Sequence, residues 1–187
     1  MANSKRIVLG SGKVYVDEFS DTIPTDVAIE TDENLIGYIK GGATLEYTPS
    51  FYEAKDDLGY VSEMYLTEEE AVLKTGVMTW NGDTIHRLSA TARVTEDASS
   101  KKRTVKIGGI GNFDNKKYLI RFVHEDSNDG DVRVTISGMN QSGWTLTFQK
   151  DAETVLNAEF KAMPCDSDGT LIIYTEEDAT ITQNSED

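Results

Sequence analysis

The chain has one cysteine, two histidines and three prolines in 187 residues. A lone Cys165 excludes an internal disulfide framework and a four-cysteine zinc site, and suits a reducing compartment. His86 and His124 have no second nitrogen or sulfur ligand nearby in sequence, so they read as packed or surface imidazoles rather than metal ligands. Positive charge is also scarce: 18 Lys and Arg stand against 33 Asp and Glu, a formal net charge of −15. Such a surface repels phosphate, which disfavours nucleic-acid binding through a basic patch. No apolar run approaches the roughly 18 residues of a membrane span. The start MANSKRIVLGSGKVYV lacks the apolar core of a signal peptide. What remains is an acidic, soluble protein of ordinary single-domain size.

Short alternating segments run from end to end. Val132, Val134 and Ile136 alternate with polar residues, as do Trp144, Leu146 and Phe148, then Leu156, Ala158 and Phe160. Separated by GMNQSG and KDAET, these read as three half-buried strands of an antiparallel meander. Further strands are expected in GKVYVDEF, LIGYIKGG, ATLEYT, EEAVLKTGVMTW, RTVKIGG, KYLIRFVHE and GTLIIYT. The spacing fits a sandwich or barrel. One stretch, TWNGDTIHRLSATARV, breaks the period. Ile85, Leu88 and Ala92 share a helical face, and Asn81 as N-cap puts Trp80 and Ile85 at the positions of a hydrophobic staple. One short helix is expected there. TEDASSKKR reads as a mobile loop. The expected organisation is one β domain over residues 1–178 with an acidic, frayed tail at 179–187.

Several segments imitate chemistry. KIGGIGNFDN is glycine-rich, but the third glycine of a dinucleotide fingerprint falls at Asp114 and the strand-to-helix context is missing, so a strand-ending turn is expected. EDSNDGD offers Asp126, Asn128, Asp129 and Asp131, yet misses the EF-hand spacing and its closing glutamate, and reads as a solvated hairpin turn. Trp80 and Trp144 read as core rather than as a sugar-binding or base-stacking platform. No carboxylate pair stands out for acid–base work. The residues nominate no catalytic group and no cofactor, so an enzyme is not expected.

One feature remains. SFYEAKDDLGYVSEMYLTEEE holds a charged turn between two stretches that together make an unusually long hairpin. Leu45 and Tyr47 alternate with Glu46 and Thr48 outward; Glu68 and Glu70 alternate with Glu69 and Ala71 on the return. Long strands protruding from a sheet expose backbone groups that demand a partner. If the partner is another copy, head-to-tail pairing closes a ring or continues as a filament.

IGYIKGGATLEYTPSFYEAKDDLGYVSEMYLTEEEAVLKTGVMTWN, with KIGGIGN, KKYLIRFVHED, DVRVTISGMNQSGWTLTF and ETVLNAEFKAMPCDSDGTLIIY, resembles the major tail tube proteins of tailed bacteriophages that infect Gram-positive bacteria. The resemblance spans roughly residues 35–174, without the C-terminal immunoglobulin-like domain of some relatives. It implies a β-sandwich or half-barrel with a helix packed beside it and a long protruding hairpin. It also implies hexameric rings whose inner sheets join into a barrel, stacked into a hollow tube that DNA leaves through. Tape measure, tail terminator and tail-tip or baseplate proteins would be the partners, and the virion tail the location after assembly in the host cytoplasm. On this resemblance the segment 44–78 supplies inner-barrel strands, and its turn, 54–61 with Lys55, Asp56, Asp57, Leu58 and Gly59, contacts the neighbouring ring. Glu46, Glu68 and Glu70 become lumen candidates, an acidic wall that holds DNA off. A tube subunit of a contractile particle or secretion system is the alternative in the same class. A monomeric carbohydrate-binding β-sandwich is the alternative outside it.

Overall fold

The computed structural model describes residues 11–60, 62–128, 130–148, 150–151 and 153–178. Alternation is set at β1 (Lys13–Glu18): Val14 and Val16 are buried in one apolar cluster, and Tyr15 between them in another. The strand therefore has protein on both faces. The remaining elements are α1 (Asp26–Ile29), β2 (Leu35–Lys55), β3 (Ser62–Val77), α2 (Gly82–Arg87), β4 (Arg93–Asp97) and β5 (Lys102–Lys106). A 3-10 turn (Ile110–Asn112) leads to β6 (Tyr118–His124), β7 (Val132–Asn140), β8 (Leu156–Met163) and β9 (Ile173–Glu176). The chain is mainly β, 49% strand against 8% helical, so its core has to be built from sheet faces, consistent with a β-sandwich.

The strand order is β6-β1-β2-β3-β8-β7-β9, every pair antiparallel, and β7 also pairs back onto β6. That second pairing closes β6-β1-β2-β3-β8-β7 into a barrel, with β9 appended to β7 as an edge. Inside lie Val14, Ile36, Leu73, Ile120, Ile136, Leu156 and Phe160. Outside, α1 lays Ile29 over Leu119 and Val123 of β6. This explains the near-continuous apolar run of β6, which is covered on both faces.

The single turn α1 was not legible as a helix. Its position is held by charge: Arg121 and Arg133 emerge from the outer face of β6 and β7 beneath it. Arg121 pairs with Asp26 at 2.5 Å, and Arg133 with Glu30 at 2.8 Å, Asp131 at 3.1 Å and Glu177 at 2.7 Å. Hydrogen bonding to Glu30 raises the Arg133 pKa well above its ordinary value. The guanidiniums are nearly buried, which is tolerable only because each is matched by carboxylates.

The expected helix is present, and short. The Asn81 side chain accepts from the backbone N–H of Asp83 and Thr84, while the Asn81 N–H donates to the Thr84 hydroxyl, a reciprocal cap. Trp80 and Ile85 both pack on the inner cluster, as a staple requires. The helix ends before Leu88, which plugs the same cluster; Ala92 is buried beyond it.

Two expectations are corrected. TEDASSKKR is not a loop throughout: Arg93–Asp97 and Lys102–Lys106 form a two-stranded ladder. Asp97 accepts hydrogen bonds from the N–H and hydroxyl of both Ser99 and Ser100, Lys101 takes a φ of 52°, and Arg103 pairs with Glu96 at 2.6 Å. Polar turn chemistry and cross-strand charge, rather than apolar alternation, make this hairpin. In the meander, β7 pairs directly with β8. Residues 144–148 belong to no ladder among the described residues. Their alternation survives because Trp144 and Leu146 still pack on the core. The acidic tail at 179–187 lies outside the described residues.

Candidate assembly surface

β2 and β3 pair from Ile39↔Val77 out to Lys55↔Ser62. Their neighbours stop much earlier: β1 reaches only Tyr38 on β2, and β8 only Val72 on β3. Beyond these points no described strand pairs with the outer edge of β2 over residues 39–55 or of β3 over residues 62–71. Each edge is a row of backbone donors and acceptors facing solvent. Pro49 is compatible with such an edge strand.

Two irregularities aim the arm. Between Ile39 and Ala43, β2 carries extra residues, with Gly41 and Gly42 at φ of 82° and 79°, values a side chain rarely adopts. Further out, Thr67 has no partner between Glu68↔Ser50 and Leu66↔Phe51, and its hydroxyl donates to the Ser50 carbonyl at 3.1 Å. This bulge resets the alternation of β3, so Phe51, Leu66 and Met64 share one face while Tyr52 and Tyr65 share the other. All five are exposed.

The three lumen candidates fall on one face. Glu46, Glu68 and Glu70 align with Val72 and Lys74 on the side opposite the buried Ala71, Leu73 and Phe160. That face is not purely acidic. Glu46 pairs with Lys74 at 2.8 Å and Glu70 with Lys161 at 2.6 Å, and these hydrogen bonds raise both lysine pKa values. Such exposed pairs add little stability. On the other face, Tyr47 donates to Glu69, which raises the tyrosine pKa.

The stacking candidates sit at the extremity. Lys55 ends β2 and pairs with Glu53 at 2.8 Å; Gly59, at φ 70°, donates its N–H to the Asp56 carbonyl at 3.0 Å and closes the turn. Asp57 and Leu58 are the exposed crest between them, with Leu58 75% and Tyr60 83% exposed. Val61, the last residue of the expected contact turn, lies outside the described residues.

No protein-family model and no curated protein sequence matches the chain.

Among the described residues no group of His, Cys, Asp and Glu could hold a metal ion. Asp126 and Asp131 spend oxygens on the β6–β7 turn, accepting from Asn128 at 2.9 Å and from the Asp126 N–H at 3.0 Å; Asp129 lies outside the described residues. His124 is buried with Nδ1 2.8 Å from the Ser11 carbonyl. A cleft of about 320 Å³ beside Trp80 is polar, and the Arg87 guanidinium within it already donates to the carbonyls of Val16 and Glu33. Cys165 is buried, which pushes its thiol pKa up. Both tryptophans pack on the core, Trp144 donating to Ser89 at 2.7 Å.

Sequence reading located the hairpin but nominated its acidic residues and turn. The apolar set Phe51, Tyr52, Met64, Tyr65 and Leu66 was missed. A detectable signal existed: strand-forming apolar residues more numerous than one closed core can absorb.

Proposed function

We propose that this chain is a structural subunit that assembles with copies of itself into rings and a hollow tube, as the tail tube of a bacteriophage. The observation that carries the reading is the β2–β3 arm, with two unpartnered edges among the described residues and exposed apolar side chains on both faces. Because β2 and β3 are antiparallel neighbours, rotation about an axis running roughly along the strands brings the β2 edge of one copy against the β3 edge of the next in antiparallel sense. A single isolated hairpin is marginal in water; a ring of them shares one continuous ladder. The wall so formed has Glu46, Glu68 and Glu70 on one face, partly offset by Lys74 and Lys161.

An inward orientation of that face gives a lumen that repels DNA. The duplex carries about one charge per 1.7 Å of axis, and screening confines the effect to about 8 Å at physiological salt, so the wall prevents adhesion rather than driving transport. Each copy brings a formal −15 to the ring, a self-repulsion that ladder formation and apolar burial have to exceed. The carbohydrate-binding alternative needs exposed tryptophan platforms, whereas Trp80 and Trp144 pack inward.

Electron microscopy of the purified protein over rising concentration tests the reading. Hollow tubes of stacked rings, with the arm lining the bore in a reconstruction, are expected. Compact monomers under every condition refute self-assembly. Tubes with all three glutamates on the exterior refute the lumen assignment alone.

A further inference from the structure

The arm leaves the barrel at one pole, and a second exposed apolar element sits at the other. β1 runs antiparallel to both β2 and β6, so β2 and β6 point the same way. The hairpin turn extends from the far end of β2, while the loop over residues 107–117 enters at the near end of β6. That loop is pinned at the end closed by α2: Gly108 N–H donates to the Thr91 hydroxyl at 3.1 Å, and Asp114 N–H to the Ala90 carbonyl at 3.3 Å. Ile110 is 94% exposed at its crest, flanked by exposed Ile107 and Phe113. The Asn112 side chain donates to the Gly108 carbonyl at 2.9 Å, so the crest is a formed turn holding apolar residues outward.

Charge follows the same axis. Residues 93–117 hold 7 Lys and Arg against 3 Asp and Glu in a chain of net −15, with Lys116 paired to Glu18 and Arg103 to Asp83 from outside this stretch. Lys101, Lys102 and Lys106 are exposed there, and the β4–β5 ladder carrying them is tied to α2 by Arg103–Asp83 at 2.6 Å. The arm over residues 44–72 holds 1 Lys against 8 Asp and Glu, a surplus of seven negative charges. An acidic, apolar-tipped arm and an apolar crest flanked by the exposed cations Lys101, Lys102 and Lys106 are complementary surfaces on one molecule, the condition for a head-to-tail contact that does not close on itself.

We propose that the Ile107–Phe113 loop with its basic flank is the receptor for the hairpin turn of a second copy, Leu58 and Tyr60 seating on Ile110 and Phe113. This rests on the self-assembly reading above and adds the acceptor surface. It places the stacking contact between the poles and the ladder contact along the strand edges, so the two are separable by mutation.

Cross-linking tests it. In a Cys165→Ala background, the pair Leu58→Cys and Ile110→Cys, treated with a short bifunctional thiol reagent, gives a ladder of covalent multimers that neither single cysteine gives. Tubes that form while the double variant yields no ladder overturn the acceptor and leave self-assembly standing. Absence of rings and tubes even from the unmodified chain overturns both. In parallel, Ile110→Asp leaves the melting temperature unchanged, because the side chain is already in water. It raises the concentration needed for stacking about tenfold or more, the worth of one buried isoleucine. Unchanged stacking by this variant also overturns the acceptor.

Discussion

Replacing Leu66 by serine isolates the apolar part of the assembly energy. Leu66 lies on the arm beyond the last β8 contact and keeps 51% of its surface exposed in the free subunit. Fully burying a leucine side chain is worth about 1.5–3 kcal/mol, so roughly half of that, about 1 kcal/mol, is still to be gained when a second copy covers the arm. About 1 kcal/mol is roughly fivefold in an association constant. Serine leaves the net charge untouched, so the shift reports on burial rather than on relief of self-repulsion. Monomer stability should change by no more than about 0.5 kcal/mol, as for an ordinary surface site. Sedimentation velocity over a concentration series gives the assembly threshold, and thermal melting of dilute protein gives the control. A threshold within experimental error of the unmodified chain, with the same melting curve, refutes the claim that this face is covered on assembly.

Deleting Asp56 to Gly59 should leave a folded monomer by circular dichroism that no longer forms tubes; normal tubes from the deletion would remove the turn from the contact. Arg133→Ala should cost about 2 kcal/mol in a denaturant titration, because Glu30 keeps only its longer contact to Arg121 at 3.4 Å in place of the one to Arg133 at 2.8 Å; a loss under about 0.5 kcal/mol would mean that Arg121 and solvent together replace Arg133. The β4–β5 turn should respond to acid. Hydrogen bonds from Ser99 and Ser100 hold the Asp97 carboxyl at about 2, below its ordinary 3.8. A depressed folded-state pKa stabilises fully above about pH 4 and is lost as pH falls toward 2. Loss of Ser99 and Ser100 amide dispersion in that window by NMR, absent in Asp97→Asn, is the expected result. Loss at pH 5 or above would assign the transition to another group.

The legible parts of the fold are those where one face of a strand or helix meets a core. Val132–Ile136, Leu156–Phe160 and the Trp80–Asn81–Ile85 start of α2 all announce themselves by which side chains must be dry. The illegible parts are held by interactions with no apolar period. α1 depends on Arg121 and Arg133, distant in sequence from Asp26 and Glu30, and β4–β5 depends on a hydroxyl-capped turn and a Glu96–Arg103 pair. Residues 144–148 show the converse, since alternation reports contact with the core and not the presence of a hydrogen-bonded neighbour. At the arm, the length and turn were readable. The Thr67 bulge was not, and it decides which residues share each outer face. The lysines that offset Glu46 and Glu70 were hidden for the same reason: Lys161 comes from a strand whose register on β3 only the fold supplies.

Hydrogen–deuterium exchange, comparing dilute subunit with concentrated assembly, tests the pairing of the arm edges most directly. Amides of residues 39–55 and 62–71 should exchange readily in the dilute sample and become strongly protected on assembly, with little change in β6 and β7, which are already paired on both sides. Assembly that leaves the arm exchanging freely while another surface gains protection would contradict the account, as would no change in protection at any concentration.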